Sequence, residues 1–372
     1  MCRCLSVDDS ANAVAELRAS LPRLDDAAGW AGLVQTADAD MLAPALRLAL
    51  ARKGLDDAMP AQVRAQLHRR YTMNALLNER IREDALHVTA LCERLGIAPV
   101  VLKGGAYLFE APPEMLGGRS MRDLDFLLPA DQVDTVVDAM LDQGYMVKDE
   151  ADDDTTYTHP ALQRPGGVVA VELHHRVGQQ RSLLSADMAW RDIRTLQTEP
   201  RLRVLSPTHR VWHNIFHSQV QDQGHSTGLI WLRQLADLVD ICRRHGESID
   251  WAALDQMMTD AGMDGVMRAR LLQAERLLGL PWPLRAPPGP AARLRLHRAS
   301  LLLKAPRTMA VTRMWAALMA PFKLHRMDLL YHCGTGHPVK LAKARLRHIR
   351  QVARKYRGNL LGRLWQRRQY DV

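Results

Sequence analysis

The run Asp123-Leu124-Asp125-Phe126-Leu127-Leu128 interleaves carboxylates with large apolar residues, an order that suits a strand with one buried face. Side chains two apart in a strand project to the same face. Asp123 and Asp125 are therefore expected to stand together, while Leu124, Phe126 and Leu128 enter the core. Two adjacent carboxylates repel each other. A divalent cation removes that repulsion, and Mg²⁺ is typically held by one or two carboxylates plus substrate phosphates. The run predicts a sheet carrying a metal-dependent phosphoryl-transfer site.

Two flanking segments extend this reading. Upstream, Pro99-Val100-Val101-Leu102 reads as a short buried strand leading through Lys103, Gly104 and Gly105 into a helix. Glycine permits close backbone approach, and the first amides of a helix lack intrahelical partners, so a phosphate can bind there, with Lys103 adding charge. A Gly-Gly pair in that position also serves simply to make the turn. Downstream, the β-branched run Gly167 to His175 reads as another strand, interrupted by Glu172. Alone, Glu172 would suit the solvent side of an edge strand. Beside a carboxylate pair it is the third acid that a two-metal site uses to clamp attacking and leaving oxygens.

Lys-Gly-Gly, then Arg119-x-x-Arg122-Asp123-x-Asp125, then Val-Glu172-Leu-His-His resembles the nucleotidyltransferase superfamily related to DNA polymerase β. More narrowly, it is similar to the largely uncharacterised bacterial NTP_transf_5-type nucleotidyltransferases. The similarity continues in Gly228 to Leu238 and Ile249-Asp250-Trp251 and covers about residues 85 to 283. The resemblance implies an α+β fold, a small mixed sheet flanked by helices. It also implies Asp123 and Asp125 as metal ligands, Glu172 as the third acid, and Gly104 and Gly105 at the triphosphate. The common superfamily turn is Gly-Ser. Here no serine hydroxyl is available, so phosphate contact falls to backbone amides and Lys103, or else the chain binds nucleotide without turning it over.

At 372 residues the chain is expected to form two or three structural units. Four segments are read: an N-terminal helical region 1–84, a catalytic core 85–180, a helical domain 181–290 and a basic helical region 291–372. Five scattered cysteines, Cys2, Cys4, Cys92, Cys242 and Cys333, point to reduced thiols and a cytoplasmic location rather than a disulfide framework. No apolar run reaches membrane-spanning length, and Asp8 and Asp9 interrupt the position of a signal-peptide core.

In the first region, breaks are expected near Pro22, Pro44, Gly54 and Pro60. Pro60 to Leu95 reads as one long amphipathic helix that braces the sheet, with Val63, Leu67, Met73, Leu76, Leu77, Ile81, Leu86 and Leu91 at helical spacing. Asp149 to Thr156 reads as an acidic loop that would serve as a flap over the site. Its Asp152-Asp153-Asp154 run suits a solvated loop better than a metal site. Ser206-Pro207 opens a helix on which His209, His213 and His217 recur every four residues, a packed or substrate-facing stripe rather than a zinc-protease pattern. Asp237 lies on the next helix and is either a site residue, as the resemblance suggests, or an exposed acid.

The net charge of +9 is unevenly spread. Residues 291 to 372 hold 19 Lys plus Arg against 2 acids, a net +17, which leaves −8 for the remainder. Pro281 to Pro290, with five prolines, is the natural linker. The tail beyond Val339 keeps a helical stripe of Leu346, Ile349, Ala353, Tyr356, Leu360 and Leu364. It suits packing on the body, or contact with RNA, an anionic surface or an acidic partner.

The residues together predict a nucleotidyltransferase using Mg²⁺ or Mn²⁺ and an NTP, ATP being the expected donor. Asp123, Asp125 and Glu172 are its catalytic and metal residues. Lys103, Gly104, Gly105, Arg119 and Arg122 contact the nucleotide, the arginines alternatively pairing with the neighbouring aspartates. The acceptor hydroxyl, on a small molecule, peptide, protein or tRNA, is not legible. A catalytically silent nucleotide- or RNA-binding adaptor and a kinase on the same scaffold are the alternatives.

Overall fold

The computed structural model describes residues 1–148, 158–178, 186–222, 224–304 and 338–357. The Asp149–Thr156 loop, including its aspartate run, lies outside the described residues, as do Cys333 and the tail positions Leu360 and Leu364. Residues 1–224 and 230–297 form one unit; residues 225–229 and 298–372 belong to a second.

The first unit opens with helices α1 (Cys2–Leu5), α2 (Ala11–Ser20), α3 (Ala27–Ala39) and α4 (Ala43–Arg52), followed by the 34-residue α5 (Ala61–Arg94). The breaks fall where the sequence places them. Ser10 and Asp26 cap α2 and α3 through their side chains, Pro44 sits in the first turn of α4, Gly54 adopts φ +64° after it, and Pro60 precedes α5. Trp30, Leu46, Leu50, Leu55 and Leu67 are the centre of this region's core.

The buried stripe of α5 differs from the expected one. Met73 and Leu76 are exposed, while Asn78 and Asp84 are buried. Polar residues occupy the inward stripe because backbone meets α5 there. Asn78 donates to the Leu116 and Arg119 carbonyls, and Asn74 to those of Gly117 and Arg119. Asp84 accepts from Arg164 and from the Val168 amide. Buried main-chain groups need such partners, so α5 braces the sheet by gripping its connections.

The sheet is mixed, in the order β3-β4-β5-β2-β1-β7-β6. Its strands are β1 (Val100–Val101), β2 (Asp123–Leu127), β3 (Met146–Val147), β4 (Leu162–Gln163), β5 (Ala170–His174), β6 (Ile193–Thr195) and β7 (Arg203–Leu205). At its centre β2 runs parallel to β5 and antiparallel to β1. Leu124, Phe126, Leu128, Val171 and Leu173 fill one face and pack with Ile81, Ala85 and Val88 of α5 and Val136 and Met140 of α7 (Val133–Asp142). Helix α6 (Lys103–Glu110) follows β1 directly.

Beyond α8 (Ala186–Arg191) the helical part of the first unit comprises α9 (Pro207–Phe216), α11 (Leu232–His245), α12 (Trp251–Asp260) and α13 (Asp264–Leu278). The short α10 spans Gly224–Thr227. Helix α13 ends on left-handed Gly279, and the proline-rich segment leads to α14 (Pro290–Lys304).

In the second unit, residues Pro338–Arg357 are helical, as the periodicity predicts. Leu346 and Ile349 are half exposed, whereas Ala344 and His348 are buried. A helical repeat establishes the helix but does not choose between two adjacent stripes. Among the described residues no helix is long and apolar enough to cross a membrane.

Candidate functional site

The period of two in β2 and β5 places the polar residues opposite the core. Parallel pairing sets Asp125 directly beside Glu172 and Asp123 beside Ala170. His174, two residues past Glu172, shares its face. Ligand atoms of Asp125, Glu172 and His174 lie within 4.8 Å of one another. Asp123 stands outside that set, at the exposed start of the strand.

Asp125 is 2% exposed and takes two charged or polar donors on one oxygen. Lys103 Nζ donates to Oδ1 at 2.6 Å, and His174 Nε2 lies 2.9 Å from the same atom. The Glu172 Oε2 to His174 Nε2 separation is 3.5 Å. Burial opposes ionisation of Asp125, but the Lys103 charge and the His174 hydrogen bond outweigh it and hold the carboxyl well below its usual range. Asp123 moves the other way: although the residue is exposed overall, local desolvation of its carboxyl within the cleft and the neighbouring Asp125 charge raise it, against Lys103. Lys103 is driven upward by the three acids despite its own burial. The His174 imidazole is likewise raised by its hydrogen bonds to Asp125 and Glu172, burial acting against them.

Lys103 occupies the strand-to-helix junction with φ +47°. Gly104 and Gly105 begin the helix, and both are buried. A Cβ on Gly105 would fall 2.1 Å from Val101 Cγ2, so this glycine is required by packing of the helix on the sheet. Gly104 instead makes room for Arg119. That guanidinium donates from Nε and Nη2 to the two oxygens of Asp237 on α11, each at 2.9 Å. Arg119 thus pairs with a distant aspartate rather than with its sequence neighbours. Arg122 is exposed and makes no ion pair among the described residues.

A cleft opens beside Lys103 and Asp123, walled by Arg119 and Asp237, by His213 of α9 and by His217 just beyond that helix. His213 is buried, its Nε2 has no hydrogen-bond partner among the described residues, and burial together with the His217 charge pushes its imidazole well below the ordinary value. After Phe216 the chain makes a π-helical turn, His217–Gln221, where Gln234 Nε2 meets His217 Nδ1 at 3.0 Å and Asp222 Oδ2 at 2.6 Å. The three histidines therefore do not form one metal stripe: among the described residues, only Asp125, Glu172 and His174 bring ligand atoms together.

Two features escaped the residue-by-residue reading. His174 had a signal, since it follows Glu172 at strand period. The Arg119–Asp237 pair joins residues 118 apart and had none beyond the resemblance.

A mixed sheet with acids on its open face, a glycine-led helix beside them and a helical wall opposite defines a nucleotidyltransferase-like scaffold. Residues 26–279 match the model of a family described as "Uncharacterised nucleotidyltransferase". The match spans most of the chain, which belongs to that family. No curated protein and no solved structure matches it.

Proposed function

We propose that the protein is a metal-dependent nucleotidyltransferase of the cytoplasm, moving a nucleoside monophosphate from an NTP, with ATP the expected donor, to an acceptor hydroxyl. The observation that carries this reading is the register of Asp125 beside Glu172, with Asp123 two residues earlier and the core sealed beneath them. The donor set suits a divalent ion: two carboxylates converge with an imidazole, and a third carboxylate stands at the mouth.

Asp123, Asp125 and Glu172 would hold Mg²⁺ or Mn²⁺. When bound, the ion supplies charge neutralisation at the phosphates and a more acidic acceptor hydroxyl. Glu172, the most open of the converging groups, accepts the hydroxyl proton. The acceptor oxygen bonds to the α-phosphorus, the bond from that phosphorus to the bridging oxygen breaks, and pyrophosphate leaves with its electron pair. The Gly104 amide and Lys103 would meet the triphosphate, as a helix-start donor and a cation suit phosphate oxygens; the Gly105 amide, expected from the sequence to do the same, already donates to the Leu102 carbonyl at 2.9 Å and serves the turn instead. Arg119, fixed by Asp237, and the free Arg122 offset developing charge. The basic region 291–372 gives polyanion contact, with RNA or an anionic surface, a supporting role.

The test is incubation of purified protein with each NTP labelled at the α-phosphate and, in parallel, at the γ-phosphate, with Mg²⁺ or Mn²⁺ and cell extract. Label transfer with pyrophosphate release is expected. Transfer of γ-label alone indicates a kinase; nucleotide binding without any transfer indicates the adaptor.

A further inference from the structure

Lys103 combines two features that belong together. Its ammonium sits 2.6 Å from the most buried acid of the site, and its backbone has φ +47°, a region that side-chain-bearing residues other than Asn and Asp rarely adopt. Conformations of this kind persist where the surroundings fix them. Here the surroundings are β1 behind, the buried glycines ahead, and three carboxylates on the adjoining strands. Asp125 Oδ1 is shared between Lys103 and His174, so a cation arriving at that oxygen competes with the lysine.

We infer that Lys103 is the resident counter-ion of the acidic group, displaced from Asp125 by a divalent cation and received by the triphosphate that accompanies it. This rests on the reading above. A partly buried ammonium, with a side chain 25% exposed, is penalised when deprived of its carboxylate unless a new anion meets it. Cation and triphosphate therefore bind as a pair, each strengthening the other by the same factor. The cation alone binds weakly because it must dislodge the lysine without offering it a partner.

The experiment titrates full-length protein with Mn²⁺ alone, following free Mn²⁺ by electron paramagnetic resonance, in wild type, Lys103→Met, Lys103→Arg and Asp125→Asn, with thermal melts confirming folding. Lys103→Met is expected to bind Mn²⁺ about tenfold or more tighter than wild type, within the range usual for coupling between sites. Lys103→Arg should resemble wild type, and Asp125→Asn should bind weakly. Equal affinity in wild type and folded Lys103→Met overturns the counter-ion role while leaving the metal-site reading standing. No binding in wild type, even with a non-hydrolysable ATP analogue, nor in Lys103→Met overturns both.

A second measurement uses the native chain. Lys103 acetylation by an N-hydroxysuccinimide ester, quantified by mass spectrometry against exposed Lys148, should rise severalfold with saturating Mn²⁺ and fall again when the ATP analogue is added. Labelling indifferent to Mn²⁺ overturns the inference without any substitution.

Discussion

A β-carbon on Gly104 would lie 1.8 Å from Nη1 of Arg119, so the glycine exists to admit that guanidinium. Arg119 in turn spends two donors on Asp237, linking the start of α6 to α11 through one side chain.

Gly104→Ala should therefore destabilise the protein by about 1–3 kcal/mol, as overpacking does. That loss should vanish in an Arg119→Ala background, where the space is open. Gly105→Ala, aimed at Val101, should keep its cost in the same background. Urea denaturation of the single and double variants decides; an additive Gly104/Arg119 pair would show that the contact is not the cause.

Asp123→Asn and Asp125→Asn should both lose transfer by at least about a hundredfold, roughly 2.7 kcal/mol of barrier. Their stabilities should part. Asp123 is exposed, whereas Asp125 is buried against Lys103. Asp125→Asn is expected to lose about 3 kcal/mol by removing the hydrogen-bonded partner of the Lys103 ammonium, and Asp123→Asn to be neutral or slightly stabilising, since the Asp123 carboxyl is raised in the folded state. Denaturant unfolding alongside α-label transfer separates the two effects.

Glu110, at the end of α6, accepts from Arg210 Nη1 at 2.8 and 2.9 Å and faces His245. Burial opposes its ionisation, yet the His245 hydrogen bond and Arg210 charge depress its carboxyl below the ordinary value. A depressed acid stabilises the fold above its unfolded value, near 4.5, and that stabilisation is lost as pH falls through the folded one. Glu110→Gln should accordingly be about 2–3 kcal/mol less stable than wild type at pH 7, the gap narrowing below pH about 4.5. A constant gap across the titration would contradict the assignment.

Burial pushes the thiols of Cys92 on α5 and Cys242 on α11 up to about 12. Since the thiolate is the nucleophile, neither should react appreciably with iodoacetamide in the native protein at mildly alkaline pH. Both should label promptly in urea, as peptide mass spectrometry will read. Fast native labelling of Cys92 would mean that α5 does not seal the sheet.

The strands around the site were legible because their residues satisfy period two on one face and chemistry on the other, as Leu124 and Asp125 illustrate. Lys103 was legible as a cation near phosphate, but its ion pair with Asp125 was not: the two lie 22 positions apart, across a helix and a 3₁₀ turn that only folding reconciles. The inward-facing Asn74 and Asn78 were not legible. Apolar periodicity selects Met73 and Leu76, whereas the inward stripe of α5 is set by carbonyls needing donors. The histidine series was read on one continuous helix, and the π-helical turn at His217 broke it.

Those two asparagines also bear on how this molecule can be divided. They hold the carbonyls at 116, 117 and 119 from a helix that precedes every strand. A transplant of the sheet alone, begun after Asn78, would carry all the acids yet leave the loop bearing Arg119 without its backing. Any working excision, chimera or graft has to begin upstream of Asn74 and take most of α5 along, so the smallest transferable part of this protein is the sheet together with the helix behind it.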